Sequence, residues 1–208
     1  MKFIDLFCGI GSFHYSLRKC GFECVMACDI NEDARNTYNI NYGIMPLGSI
    51  CDIEVCDIPS YDIICAGFPC QAFSNCGKQG GFSDERGDLF FQILKFVHYH
   101  HPKFIILENV PSLKSHDNGN TFKVIMDRLD TAGYECHYTI LKCSDYGIPQ
   151  MRKRLFVIAI RKDSISPNTS LMDFSVYLKS VTLSDYFNMS FVKDTAYTIR
   201  CGGRGSRV

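Results

Sequence analysis

The feature that most constrains the fold is an alternation of short apolar strands with helical segments. Residues 2–7 form an apolar run, Cys8–Gly11 is a glycine-containing turn, and a helical pattern then continues to residue 19. Further strands are predicted at residues 23–28, 62–66, 103–107, 134–141 and 154–160. Repetition of strand, helix and strand predicts an α/β fold with a doubly wound, mostly parallel sheet.

Helices are predicted between these strands at residues 31–41, with Asn31 as the cap, and at 88–98 and 121–132. Ligands of such sheets bind outside the carboxyl ends of the strands. The polar runs that fall there are Asp5 to Gly11, Asp29, Pro69-Cys70 and Glu108-Asn109. The sequence therefore predicts a site at this edge of the sheet.

Composition limits the classes of protein that need to be considered. The formal net charge is zero, so any DNA-binding surface must be local. No apolar run approaches the roughly 20 residues that span a bilayer, and Asp5 interrupts the apolar start too early for a signal peptide. We therefore expect a cytoplasmic protein that does not enter the membrane.

Cysteine is abundant, with 12 residues at irregular spacing. Several of them, such as Cys28 and Cys65, lie in apolar strand-like runs, which indicates thiols used as small core residues in a reducing compartment. Cys20, Cys24 and Cys28 lack the paired spacing and the histidines of a zinc site. No metal site is expected.

The glycine turn after the first strand is typical of a nucleotide-like cofactor site. Gly9 and Gly11 allow close approach to the backbone at a helix start, but the third glycine of a dinucleotide fingerprint is replaced by His14. This favours a nucleoside cofactor without phosphates, with Asp29 placed to bind a ribose. A purely structural turn, and an Asp29 that merely leads the next helix, are the alternatives.

A second candidate site lies where Cys70 follows Pro69 at the end of a buried strand. Proline restricts the local backbone, so a thiolate there is rigidly placed to act as a nucleophile. Among so many cysteines, a structural thiol is the favoured alternative on chemistry alone. Glu108 also has two interpretations, a general acid or a residue that caps the end of a strand. Arg152 and Arg154 either bind a substrate together or are ordinary arginines of the surface.

Five segments in order resemble the DNA cytosine-5 methyltransferases. They are Asp5-Leu6-Phe7-Cys8-Gly9-Ile10-Gly11, Gly67-Phe68-Pro69-Cys70-Gln71-Ala72-Phe73-Ser74, Asp84-Glu85-Arg86-Gly87-Asp88-Leu89-Phe90, Glu108-Asn109-Val110 and Gln150-Met151-Arg152-Lys153-Arg154. The resemblance covers residues 2–160 and is greatest to the small HhaI-type modification methylases of bacterial restriction systems. It implies a Rossmann-like methyltransferase fold that uses S-adenosyl-L-methionine.

The resemblance also implies the roles of individual residues. Cys70 is the nucleophile that attacks C6 of a cytosine flipped out of double-stranded DNA, and Glu108 is the general acid at the ring. Arg152 and Arg154 hold the base and its phosphate. The implied cofactor contacts are Phe7, Gly9, Gly11, Asp29, Ile30, Ser49, Ile50, Pro69 and Leu89, and the implied DNA contacts are Gln71, Ser74, Asn109, Arg152 and Arg154.

Two positions depart from the family pattern. Ser49 stands where an aspartate usually contacts the adenine amino group, and Ile30 stands where an aromatic residue often stacks on the adenine. Both replacements predict weakened cofactor affinity.

Residues 1–162 are expected to form the catalytic, cofactor-binding domain, and residues 163–208 the incomplete start of a target-recognition region. The family's final segment has no match in this sequence. Three explanations remain: a truncated product, a fragment, or one subunit of a split enzyme with a second polypeptide. Each implies that the chain alone methylates DNA poorly or not at all. The competing functions are an RNA cytosine-5 methyltransferase and an inactive half that only binds a partner or DNA.

Overall fold

The computed structural model describes residues 1–69, 89–165, 182–190 and 192–197. The predicted nucleophile Cys70 and the predicted DNA contacts Gln71 and Ser74 lie outside the described residues. The strands are β1 (Lys2–Leu6), β2 (Glu23–Cys28), β3 (Ile63–Ala66), β4 (Phe104–Asn109), β5 (Tyr134–Lys142) and β6 (Lys153–Arg161). The helices are α1 (Ser12–Lys19), α2 (Glu32–Tyr42), α3 (Leu89–His100), α4 (Asn120–Thr131) and α5 (Leu183–Phe187).

The six strands form one sheet in the order β2-β1-β3-β4-β6-β5. The first four of these are mutually parallel, whereas β6 runs antiparallel to both β4 and β5. The predicted α/β class and mostly parallel sheet are confirmed. The antiparallel strand follows from the short connection between β5 and β6, because a parallel pairing would need a long crossover.

Helices cover both faces of the sheet, as a doubly wound fold requires. One face packs against α3 and α4, and its largest core cluster includes Leu6, Leu107, Phe90 and Ile125. On the other face, α1 packs against Phe3 of β1 and against Ile63 and Cys65 of β3. All four residues of β3 are buried, which is expected of a central parallel strand covered on both sides.

Two element boundaries bear directly on the site. Helix α2 begins after Asn31, whose side chain accepts a hydrogen bond from Ala34 N at 2.9 Å, and the predicted cap is therefore confirmed. Strand β4 continues through Asn109, two residues beyond its predicted end, because Glu108 and Asn109 pair with residues of β6. Pairing with the antiparallel strand β6 thus places Glu108 in a strand rather than in a loop.

The two glycines of the first turn differ in what surrounds them. Both have positive φ, +53° at Gly9 and +94° at Gly11. A Cβ on Gly11 would lie 2.2 Å from Tyr42 Cε2, whereas a Cβ on Gly9 would meet none of the described residues within 4 Å. Gly11 is therefore required by packing against α2, and Gly9 is the glycine that leaves the backbone open for a ligand.

Alanine at each glycine separates these two requirements. Gly11→Ala is expected to lower the free energy of unfolding by about 2–5 kcal/mol, since backbone strain adds to a collision with a ring. Gly9→Ala carries backbone strain alone, which costs about 1–2 kcal/mol. Chemical denaturation of both variants measures the difference, and equal losses would contradict the packing role of Gly11.

Candidate active site

The carboxyl ends of β1, β2, β3 and β4 bring the predicted site segments to one edge of the sheet. The glycine turn follows β1, Asp29 follows β2, Phe68 and Pro69 come shortly after β3, and Glu108 lies near the end of β4. Since neighbouring parallel strands point the same way, the four segments lie at one edge of the sheet, the position of the ligand-binding cleft in folds of this kind. The cleft is assembled by the strand order and not by proximity in sequence.

Asp29 ties the glycine turn to the second strand. Gly9 N donates to Asp29 Oδ2 at 2.8 Å, and Asn31 N donates to Asp29 Oδ1 at 2.8 Å. The carboxylate therefore also leads α2, so the two interpretations of Asp29 are compatible. Beside it, Ile30 exposes 81% of its surface.

The segment that contains Ser49 contributes a buried apolar residue and a hydroxyl that is already engaged. Ser49 Oγ accepts a hydrogen bond from Cys51 N at 3.2 Å and caps the short helix Ile50–Asp52. Ile50 is buried in the main core cluster, whereas Asp52 is exposed. The remaining predicted cofactor contacts Phe7 and Leu89 are half-buried, and Pro69 is exposed.

Glu108 is bound by both predicted arginines. Arg154 Nε lies 2.7 Å from Glu108 Oε1, and Arg152 Nη2 lies 3.9 Å from the same oxygen. The side chain of Glu108 is 23% exposed, so its pair with Arg154 is partly shielded from water. The structure therefore brings together three residues that the sequence placed in two separate motifs.

The other side of Glu108 faces the start of the Pro-Cys segment. A Cβ on Gly67 would lie 3.5 Å from Glu108 Oε2, which places this carboxylate oxygen in contact range of the Gly67 backbone. Asn109 Nδ2 donates to the Phe68 carbonyl at 2.8 Å, while Val110 N donates to Asn109 Oδ1 at 2.8 Å. Two consecutive residues of β4 thus adjoin the segment that leads to Cys70.

Asn109 is itself buried and 5% exposed. The nitrogen and the oxygen of its side-chain amide are both hydrogen-bonded to backbone groups. This geometry supports a role for Asn109 in positioning the Pro-Cys segment. The expected DNA contact of Asn109 stays a prediction without support from this geometry.

The described cysteines help to decide which thiols can react. Every one of them is free. Burial raises the pKa of Cys24 to about 11, of Cys28 to about 12 and of Cys136 to about 11, and raises the pKa of Cys65 well above its usual range. Because the thiolate is the nucleophilic form, these cysteines serve as core residues.

Sequence reasoning missed a polar cluster beneath the glycine turn. His14 Nδ1 and the Tyr38 hydroxyl share a hydrogen bond of 2.6 Å, and the His14 ring stacks on Tyr42 at 3.9 Å between ring centroids. The available signals were a histidine in place of a third glycine and two tyrosines spaced four apart on one helix, which places them on one face.

Asp5 lies at the bottom of this cluster and does not face the cleft, contrary to the expected polar run from Asp5 to Gly11. It is fully buried, and neither carboxylate oxygen has a hydrogen-bond partner of good geometry among the described residues. Burial raises the pKa of Asp5 well above its usual range, and the nearby His14 N–H and Tyr38 hydroxyl only partly oppose this.

Among the described residues, no group of three or more potential ligands is arranged to hold a metal ion, and no helix is long and apolar enough to cross a bilayer.

The family model described as C-5 cytosine-specific DNA methylase matches residues 1–200. This chain belongs to that family. Methyltransferases of this family generally use S-adenosylmethionine, and the predicted family resemblance is confirmed.

Individual relatives agree with the family match. Type II methyltransferase M.HhaI of Haemophilus parahaemolyticus is 38% identical over 230 aligned positions, which cover all of this chain and 70% of that protein. Type II methyltransferase M.MspI of Moraxella sp is 44% identical and covers 79% of this chain. The crystal structure of S. pombe Dnmt2 methyltransferase matches with a TM-score of 0.70 at 25% identity and covers 89% of this chain.

The extent of these matches is uneven. The chain spans 70% of the length of M.HhaI but only 40% of M.MspI, and 60% of the Dnmt2 chain. The similarity therefore establishes the family and the fold of the shared region.

The buried carboxyl of Asp5 should make the free energy of unfolding depend on pH. A raised folded-state pKa costs nothing below the pKa of an aspartate in the unfolded chain, about 3.9, because the acid is then protonated in both states. The cost grows as pH rises toward the folded-state pKa. Asp5→Asn should therefore gain stability relative to the parent chain as pH rises from about 4, by about 1–3 kcal/mol at pH 8. Urea unfolding of both proteins from pH 4 to pH 8 measures this, and a pH-independent difference would contradict it.

Proposed function

We propose that this chain carries out the chemistry of a DNA cytosine-5 methyltransferase, moving a methyl group from S-adenosyl-L-methionine to C5 of a cytosine flipped out of duplex DNA. One observation carries the proposal. The Glu108 carboxylate is held by Arg154 at 2.7 Å at the end of β4, and it adjoins the backbone of Gly67, three residues before Cys70.

Cys70 is proposed as the nucleophile. Cytosine C5 is a poor nucleophile, and attack of the Cys70 thiolate on C6 makes C5 an enamine carbon that can take a methyl group. Phe68 and Pro69 lead to Cys70, and the Asn109 amide holds the Phe68 carbonyl at 2.8 Å. Asn109 is thus proposed as a residue that positions the Pro-Cys segment.

Glu108 is proposed as the proton donor at N3 of the ring, because attack on C6 places electron density on that nitrogen. Arg154 Nε contacts Glu108 Oε1, and Oε2 lies on the side of the Pro-Cys segment. The arginine therefore orients the carboxyl group toward the place where the base must lie. Arg152 is 39% exposed and has guanidinium surface left for a phosphate or the base.

The residues around the glycine turn fit S-adenosylmethionine, which supplies the methyl group when bound. The open space at Gly9 admits a ligand to the backbone, and Asp29 lies at the end of β2, where a ribose-binding carboxylate belongs. Ile30 offers exposed apolar surface for an adenine ring. Phe7, Gly11, Ser49, Ile50, Pro69 and Leu89 complete the proposed cofactor contacts.

The hydrogen bonding of Ser49 supports the proposed weakening of cofactor affinity. Its hydroxyl oxygen already accepts the Cys51 N–H, so it is a poorer acceptor for an amino group than a free carboxylate would be. Exposed Ile30 offers contact without stacking between aromatic rings.

Residues 1–162 are proposed as the catalytic domain and residues 163–208 as part of the region that reads the target. In support, Ala196 pairs with Gln150 and accepts a hydrogen bond from Met151 N at 2.8 Å. The later segment therefore lies directly beside the motif that contains Arg152. Gln71 and Ser74 are proposed DNA contacts on the basis of the resemblance.

Release of tritium from duplex DNA that carries [5-³H]cytosine tests this function. After methyl transfer, the C5 hydrogen must leave as a proton while the bond between the Cys70 sulfur and C6 breaks and frees the thiolate. The chain alone is expected to methylate poorly, so the enzyme is used in excess over the DNA with S-adenosylmethionine present. Under these conditions tritium should appear in water and 5-methylcytosine in the DNA. Glu108→Gln should slow the release by about 100-fold or more, since it cannot donate a carboxylic proton.

Glu135→Gln is the matched control. Glu135 also lies in a strand, and its Oε1 forms a 2.9 Å hydrogen bond with His137 Nε2, but it lies near the start of β5, away from the cleft. It should release tritium at the parent rate. Tritium release from labelled tRNA but not from duplex DNA would show an RNA enzyme, and equal rates for both variants would exclude Glu108 as the acid.

A further inference from the structure

We propose that Tyr42 is a positioning residue for the cofactor-binding turn, acting through its hydroxyl group on the Gly11 carbonyl. The inference rests on the proposed function, since it assigns how the same cofactor site is held in shape. Tyr42 is the last residue of α2 and is distant in sequence from the turn that it contacts.

Two contacts join Tyr42 to the turn. Its hydroxyl donates to Gly11 O at 2.8 Å, and its ring fills the space that a Cβ on Gly11 would occupy. The same carbonyl accepts Tyr15 N at 2.9 Å, the bond that begins α1. Tyr42 therefore fixes the point at which the turn becomes a helix.

The ring of Tyr42 is itself held in place from beneath. It stacks on the buried His14 ring at 3.9 Å with an interplanar angle of 14°, and it meets Tyr38 edge to face at 4.9 Å. His14 is fixed in turn by the 2.6 Å hydrogen bond to the Tyr38 hydroxyl. The hydroxyl of Tyr42 consequently has little freedom to leave Gly11 O.

The turn is thus tethered at two points. Asp29 accepts Gly9 N at 2.8 Å at one point, and Tyr42 donates to Gly11 O at the other. Both tethers come from the region of β2 and α2. Because a preorganised site loses less conformational entropy on binding, the second tether should be visible in cofactor affinity.

Tyr42→Phe tests this role because it removes only the hydroxyl and keeps the ring against Gly11 and His14. Loss of one hydrogen bond should weaken binding of S-adenosylhomocysteine by about 3- to 10-fold, measured by isothermal titration well below the unfolding temperature. In the methylation assay the KM for S-adenosylmethionine should rise while kcat stays constant. Hydrogen exchange should accelerate at the amides of residues 9–12.

Tyr15→Phe is the matched control. Tyr15 is 55% exposed on α1, so the same loss of a hydroxyl should leave affinity and exchange unchanged. If Tyr42→Phe binds as tightly as the parent chain, or weakens only at temperatures where it unfolds, the positioning role is overturned. A parent chain that binds no S-adenosylhomocysteine would instead refute the proposed function.

Discussion

The pairing of β4 with two different neighbours determines where the chemistry can occur. Its parallel pairing with β3 sets its carboxyl end beside the Gly67–Pro69 segment, and its antiparallel pairing with β6 carries Arg154 alongside Glu108. A change in either register by one residue would turn Glu108 to the opposite face of the sheet, since side chains alternate along a strand. The contact between acid and arginine therefore depends on the packing of the whole central sheet.

The cofactor side of the cleft depends on a second constraint, the attachment of the glycine turn to β2 and α2. Asp29 and Tyr42 contact the turn from the end of β2 and from α2, and the buried His14 and Tyr38 support Tyr42. Beneath them, Asp5 is a buried carboxyl that lowers stability. It lies in β1, the strand that leads into the glycine turn. Stability sacrificed close to a functional site is a recurrent feature of enzymes.

Much of the fold could be predicted because its signals are local. The apolar strands, the glycine turn and the Asn31 cap each depend on a few adjacent residues. The end of β4 could not be predicted, because it is set by pairing with β6, which comes much later in the chain. For the same reason neither the Tyr42 contact with Gly11 nor the ion pair between Glu108 and Arg154 could be predicted, because each joins residues that are far apart in the chain.

The central claim is that one thiol among the 12 cysteines performs the chemistry, with Glu108 as its partner. The most direct test is covalent trapping on duplex DNA that contains 5-fluorocytosine, with S-adenosylmethionine present, followed by peptide mapping. Fluorine cannot leave C5 as a proton does, so the nucleophile stays attached to C6. The account predicts an adduct on Cys70 that is absent in Cys70→Ser and retained in Cys143→Ser. An adduct on another cysteine, or none from a folded chain that binds the cofactor and DNA, would contradict it.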